Sequence, residues 1–175
     1  AFNNAFAPPH QSLSRRGGRR RVWGMQKTIL MIMAVALVGC GKPLISIHVA
    51  AERGNIGAVK KHLDAGTDVN AKTHNDGTPL FYAIVHDQKE IVELLIAKGA
   101  NVNARDDEGI SPLHGAAGSK EIAELLIAKG ANVNARVLSG EYKGSTPMDY
   151  ANSLNNNDRV ITLLRKHGGK TGKEL

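Results

Sequence analysis

Histidine, cysteine and carboxylate side chains are the groups in this chain able to bind a metal or move a proton, and their spacing does not assemble them. His62, His74, His86 and His167 are scattered. They show neither the close i,i+4 pairing nor the Cys/His spacing that a zinc site needs. Asp106-Asp107-Glu108 is a dense acidic run, but it lacks the ligand spacing and distant bidentate glutamate of a calcium loop. A solvated turn is expected there. No Ser–His–Asp set, CxxC pair or phosphate-cradling glycine loop occurs, and no nucleophile has an evident base. No catalytic residue, metal or cofactor is therefore expected, and the chain is not expected to be an enzyme. The single cysteine, Cys40, excludes an intramolecular disulfide framework.

The surroundings of Cys40 carry more information than its number. A short basic start at Met25 leads into Ile29 to Val38, an unbroken apolar run of ten residues, and then Gly39, Cys40 and Gly41. Ten residues is half of the ~20 that a helix needs to cross a bilayer, but it suits the apolar region of a secretory signal, followed by small residues where cleavage occurs. Leu37-Val38-Gly39-Cys40 resembles the lipobox of bacterial lipoproteins. The resemblance implies that the Cys40 thiol receives a diacylglyceryl group and that the signal is cut just before it. It also implies a lipid anchor in a bacterial cell envelope. Gly41 in place of an aspartate favours the outer membrane in a Gram-negative cell.

Charge is concentrated at the beginning. Residues 1–24 hold five arginines and no acid, and are expected to be disordered or to lie upstream of a start at Met25. The formal net charge of +7 depends on them, because residues 40–175 come to only about +1. That stretch has no Trp and only Phe81, Tyr82, Tyr142 and Tyr150 as aromatics, poor material for stacking bases. Nucleic-acid binding is not expected. Residues 25–39 read as the signal and 40–45 as a short tether. Residues 46–169 read as the folded domain and 170–175 as a frayed tail.

The domain is organised by repetition. Glu93 to Arg105 returns without a change as Glu124 to Arg136, 31 residues later. A period in the low thirties predicts a helical solenoid, whose units touch only their neighbours and present an extended surface. Thr78-Pro79 and Ser111-Pro112, 33 residues apart, and then Thr146-Pro147 read as helix starts. A hydroxyl caps each, and proline takes the first position, where its missing N–H costs nothing. Gly99 ends the outer helix that begins at Lys89, on which Ile91, Leu94 and Leu95 share a face. In the third unit Ala116-Ala117 runs straight into Gly118, which shortens the inner helix and accounts for 31 in place of 33.

These motifs resemble the ankyrin repeat: Thr78-Pro79-Leu80-Phe81 and Ser111-Pro112-Leu113-His114 open units that close on Gly-Ala-Asn-Val-Asn-Ala, and Thr146-Pro147-Met148-Asp149 opens a last unit that ends at Gly168-Gly169. The resemblance implies an all-α solenoid of about four repeats, each a helix-turn-helix with a β-hairpin finger. Three departures stand out. Asp87 occupies a turn where glycine is usual, and its side chain tolerates the left-handed conformation. In His74-Asn75-Asp76-Gly77 the glycine comes one place late, which predicts a finger tip of different shape. The finger from Val137 to Ser145 is four residues longer than the one before it.

The resemblance also implies a structural use for His48 and His114, bonding the motif hydroxyl and nearby backbone. It places partners along a concave face of finger tips and inner helices. The matching positions are Lys72, His74 and Asn75 on the first finger and Tyr82, Val85 and His86 on the second inner helix. Asp107, Glu108 and Ile110 on the second finger and Tyr142 and Lys143 on the long finger complete the set. Tyr82 and Tyr142 lead it, because exposed aromatics are common binding hot spots. The expected function is a membrane-anchored, non-catalytic protein-interaction module, monomeric, with its first unit against the headgroups. The alternatives are an inhibitor or immunity-type protein of an envelope enzyme, and a cytosolic adaptor.

Overall fold

The computed structural model describes residues 45–154 and 158–175. The arginine-rich opening, the apolar run, Cys40 and most of the tether lie outside the described residues, as does the asparagine run at 155–157. Among the described residues there are eight helices and no strand. They are α1 (Ile47–Glu52), α2 (Ile56–Asp64), α3 (Pro79–Val85), α4 (Lys89–Ala97), α5 (Pro112–Gly115), α6 (Lys120–Ala128), α7 (Pro147–Ser153) and α8 (Asp158–Lys166). None is long and apolar enough to cross a membrane.

Local chemistry sets the starts. Ser46, Thr78 and Thr146 accept from the N–H three residues on at 3.3–3.4 Å, and Asn55 does the same for α2 at 2.9 Å. Pro79, Pro112 and Pro147 stand at the first helical position. Asp87 turns α3 into α4 at φ 52°, as its residue type allows. In the third unit α5 is only four residues, and a 3-10 turn over Ala116–Gly118 finishes the inner segment.

Helices this short are marginal in water on their own, so packing must hold them. The inner helices stack in order, α1 on α3 on α5 on α7, while α2 packs on α4 and α6 on α8. Between the layers Leu80, Ile91, Leu95, Leu113, Ile122, Leu126, Met148 and Leu164 are fully buried. Each such side chain contributes about 1.5–3 kcal/mol of transfer free energy. On α8 the unpaired side carries Arg159, Thr162 and Lys166 in solvent, which closes the stack with a polar surface.

The repeated Asn-Val-Asn has a division of labour. Asp68, Asn101 and Asn132 each accept their own second-following N–H at 2.9 Å and so shape the turn. Asn70, Asn103 and Asn134 reach into the next unit. Asn103 Oδ1 accepts from Asn132 N–H at 2.8 Å while its Nδ2 donates to Gly130 O at 3.0 Å. Asn70 holds Asn101 N–H and Gly99 O in the same way.

Asn134 repeats the clamp on the chain's last segment, which corrects the expectation of a frayed tail. Its Oδ1 accepts from Lys170 N–H at 2.8 Å and its Nδ2 donates to Gly168 O at 3.0 Å. Gly172 N–H then bonds Asp149 Oδ2 at 2.7 Å, and the Thr146 hydroxyl lies 2.7 Å from the Lys170 carbonyl. Segment 168–172 thus stands where a following unit's finger would satisfy these groups.

Candidate protein-interaction surface

The fingers turn back on one or two backbone bonds, too few for a strand ladder. Thr73 N–H bonds Gly77 O at 3.0 Å in the first, and Asp106 N–H bonds Ile110 O at 3.1 Å in the second. Their tips have the same backbone pattern, contrary to the expected difference in shape. Asp76, at φ 57°, takes the left-handed place that Gly109 fills in the second finger, and its carboxylate pairs with Lys72 at 3.3 Å. The late glycine serves another purpose. A Cβ on Gly77 would stand 3.0 Å from Tyr82 Cε2 and 3.2 Å from Thr73 Oγ1, so Gly77 makes room for the tyrosine ring.

That contact limits Tyr82, which is half-buried. Its ring meets His48 edge-on at 5.7 Å and Phe81 at 6.3 Å. Beside it on α3, Val85 is 53% exposed. His86 is also exposed, with Nδ1 3.0 Å from Tyr82 O and Nε2 3.8 Å from Glu52. His74, Asn75 and Asp107 are exposed, and Asp107 N–H bonds Asn75 O across the two tips at 3.4 Å. Ile110 and Glu108 are half-buried, and Lys143 is exposed.

The long finger folds over its neighbour. Leu138 and Ser139 N–H both donate to Glu108 O, at 2.8 and 3.2 Å. Tyr142, half-exposed, lies tilted on Tyr150 of α7 with ring centroids 5.4 Å apart, and Tyr150 meets His114 edge-on at 5.0 Å. The structure therefore brings Glu108 and Tyr142 together around Tyr150. It leaves Tyr82, Val85 and His86 as a separate group on α3. Burial, then Tyr142, Glu108 and Asp106, push the Tyr150 hydroxyl above the ordinary tyrosine range, and that buried hydroxyl has no hydrogen-bond partner among the described residues.

Sequence reasoning missed Leu138 and Tyr150. Leu138 is 60% exposed on the long finger, and an apolar residue in a polar turn was the available signal. Tyr150 follows the Thr-Pro-x-x motif by one position, as Tyr82 does, and that correspondence was the signal for it.

The two motif histidines are structural. His48 Nε2 donates to Ala71 O at 2.7 Å. In His114, Nδ1 accepts from Ser111 N–H at 3.1 Å and lies 2.8 Å from the Ser111 hydroxyl, while Nε2 donates to Ser145 O at 3.4 Å. The ring is neutral: burial first, with the Arg105 charge adding to it, lowers its pKa from 6.5 to about 4. Burial raises the Asp106 carboxyl, partly offset by the N–H groups of Ile110 and Glu108. Burial also works against the Asp149 carboxylate, but donors from Thr146 and Gly172 outweigh it and hold that group below the usual range. Among the described residues no three His, Cys, Asp or Glu side chains stand close enough to share a metal ion.

A family model described as ankyrin repeats (3 copies) matches residues 47–137, more than half of the chain. The chain belongs to the ankyrin-repeat family. Among curated proteins it is 35% identical over 68 residues to an ankyrin repeat-containing protein of Schizosaccharomyces pombe, covering 39% of this chain and 33% of that one. It is 40% identical over 76 residues to the B-cell lymphoma 3 protein homolog of Mus musculus, covering 43% and 17%. To the Neurogenic locus Notch protein of Drosophila melanogaster it is 38% identical over 69 residues, covering 39% and 3%. The chain matches a third or less of the length of each of these relatives. The likeness is thus to the repeats. Ankyrin repeats form a protein–protein interaction module and are generally non-catalytic, which makes surface contact the relevant chemistry of this domain.

Proposed function

We propose that this chain is a lipid-anchored, non-catalytic ankyrin module of a bacterial envelope that captures another protein through its inner helices and fingers. The observation that carries the binding half is the set of apolar side chains left in solvent on that side: Val85 on α3, with Leu138 and Tyr142 on the long finger, each at least half-exposed. Burying such groups against a partner drives association. The anchoring half is supported by the apolar run, the small residues and Cys40, as read from the sequence. Five residues, 41–45, separate Cys40 from the Ser46 cap of the first helix, and at ~3.6 Å per residue an extended tether holds the first unit close to the headgroups. Two acyl chains give stable residence where one gives only marginal binding.

Intact mass of the membrane-fraction protein from a bacterial host, wild type beside Cys40→Ala, tests the anchor. A wild-type mass beginning at Cys40 plus acyl chains, absent in the variant, supports it. A mass that retains Met25 removes it. For the binding half, Tyr142→Ala combined with Leu138→Ala should weaken capture of a cross-linked envelope partner at least about tenfold, since two hot-spot truncations cost more than 1 kcal/mol each. Unchanged capture would place the contact elsewhere.

A further inference from the structure

An open cleft of about 340 Å³ lies where the long finger, α7 and the docked tail meet. Its walls include Arg136, Lys143, Gly144, Asp149, Gly172 and Lys173. Among the described residues none of the three cations has a carboxylate within 4.0 Å, whereas Lys72 and Lys120 each do. The one acid of the lining is already engaged. Asp149 Oδ2 accepts from Thr146 N–H at 2.8 Å and Gly172 N–H at 2.7 Å, and the Thr146 hydroxyl lies 2.9 Å away. Three cations against one carboxylate leave the walls with a net charge of about +2.

The cleft is built by close approach rather than by side chains that happen to be near one another. A Cβ on Gly172 would collide with the Gly144 carbonyl, and one on Gly144 would touch Arg136 Nη2 at 3.4 Å. The bare Gly172 backbone lets the tail lie on the finger, and Lys173 joins Arg136 in the lining of the cleft. The volume is at the lower end for small-molecule sites. Arginine offers a planar fork of N–H donors and each lysine a mobile point charge. That donor set matches a compact dianion with several acceptor oxygens.

We propose that this cleft binds a phosphate-class dianion, a phosphomonoester carrying about −1.5 to −2 charges at neutral pH. The proposal is independent of the partner surface, since Lys143 alone is common to both.

The test is a titration of the full chain with inorganic phosphate at constant ionic strength, read from backbone amide shifts in heteronuclear NMR. Saturable shifts at Gly144, Ser145, Gly172 and Lys173 are expected. Arg136→Gln should weaken them about tenfold, the loss of a charged hydrogen-bonded pair. Gly172→Ala keeps all three cations but displaces the tail, and should weaken binding as well. Vesicles of phosphatidic acid form a second arm: shifts at lower phosphate there assign a lipid headgroup, and shifts with free phosphate alone assign a soluble ligand. Linear shifts that never saturate, equal affinity in Gly172→Ala, or equal binding of succinate would each overturn the proposal.

Discussion

Acid should destabilise this solenoid through His114 before it reaches most of the carboxylates. The neutral ring accepts from Ser111 N–H and donates to Ser145 O, joining the start of α5 to the end of the long finger. Protonation places a hydrogen on Nδ1 against the Ser111 N–H, in a side chain that is 1% exposed. Its folded pKa is about 4 against 6.5 in the unfolded chain. A folded value below the unfolded one means stability that is complete above pH 6.5 and is lost as pH falls toward 4. At 1.36 kcal/mol per unit the whole effect is about 3 kcal/mol, and about 2 kcal/mol is gone by pH 5. That is a large fraction of the 5–15 kcal/mol typical of a native domain. Urea unfolding of wild type and His114→Gln at pH 7.5, 6 and 5 gives the measurement, because glutamine can still accept from Ser111 N–H but does not titrate. Asp106 titrates with the opposite sign, since its folded pKa is raised, and subtracting the variant cancels it. Equal pH slopes for the two proteins would refute the argument.

Three further outcomes follow from the packing. Asn103→Ala removes two inter-unit hydrogen bonds and should cost about 1–2 kcal/mol in urea unfolding, against about 0.5–1 kcal/mol for Asn101→Ala, which loses one local bond. Leu126→Ala, at a fully buried position between α6 and its neighbours, should cost about 2–5 kcal/mol by the same assay. Gly77→Ala must push on the Tyr82 ring. Overpacking of about 1–3 kcal/mol, less about 0.4–1 kcal/mol returned by the stiffer unfolded chain, leaves a net loss near 1 kcal/mol with shifted Tyr82 ring resonances.

What was legible in the chain was whatever repeats along it. The caps at Thr78 and Thr146, the prolines after them and the Ile91–Leu95 face depend on neighbours a few residues away, so spacing alone reveals them. The left-handed turn at Asp87 was legible for the same reason. The tail at 170–175 was not, because its partners Asn134 and Asp149 lie 36 and 23 residues upstream. Its register was nevertheless present: Gly168-Gly169-Lys170 follows the pattern of Gly130-Ala131-Asn132, and Thr171 pairs with Glu174 as Thr146 does with Asp149. The binding positions were half legible. Family pattern found the fingers and α3, but it could not show that Tyr82 lies over Gly77 or that Tyr142 folds onto Tyr150.

The identity of the two thirteen-residue strings acquires a physical meaning from the clamp. Each second asparagine acts on the unit after its own, so a change at Asn103 is felt at Gly130 and Asn132 and one at Asn70 at Gly99 and Asn101. The three outer helices that precede the clamps are all nine residues long, while the inner ones range from four to seven. Constancy thus sits on the outer layer and its clamps, and variation sits on the inner layer and fingers, where Val85, Leu138 and Tyr142 are exposed. A scaffold whose contacts are nearest-neighbour tolerates that separation, because altering one finger disturbs only the unit beside it. The long finger is the extreme case, since its additional residues bear on Glu108, Tyr150 and the tail and leave the α3 group untouched. Its exposed side chains can therefore vary without loosening the stack.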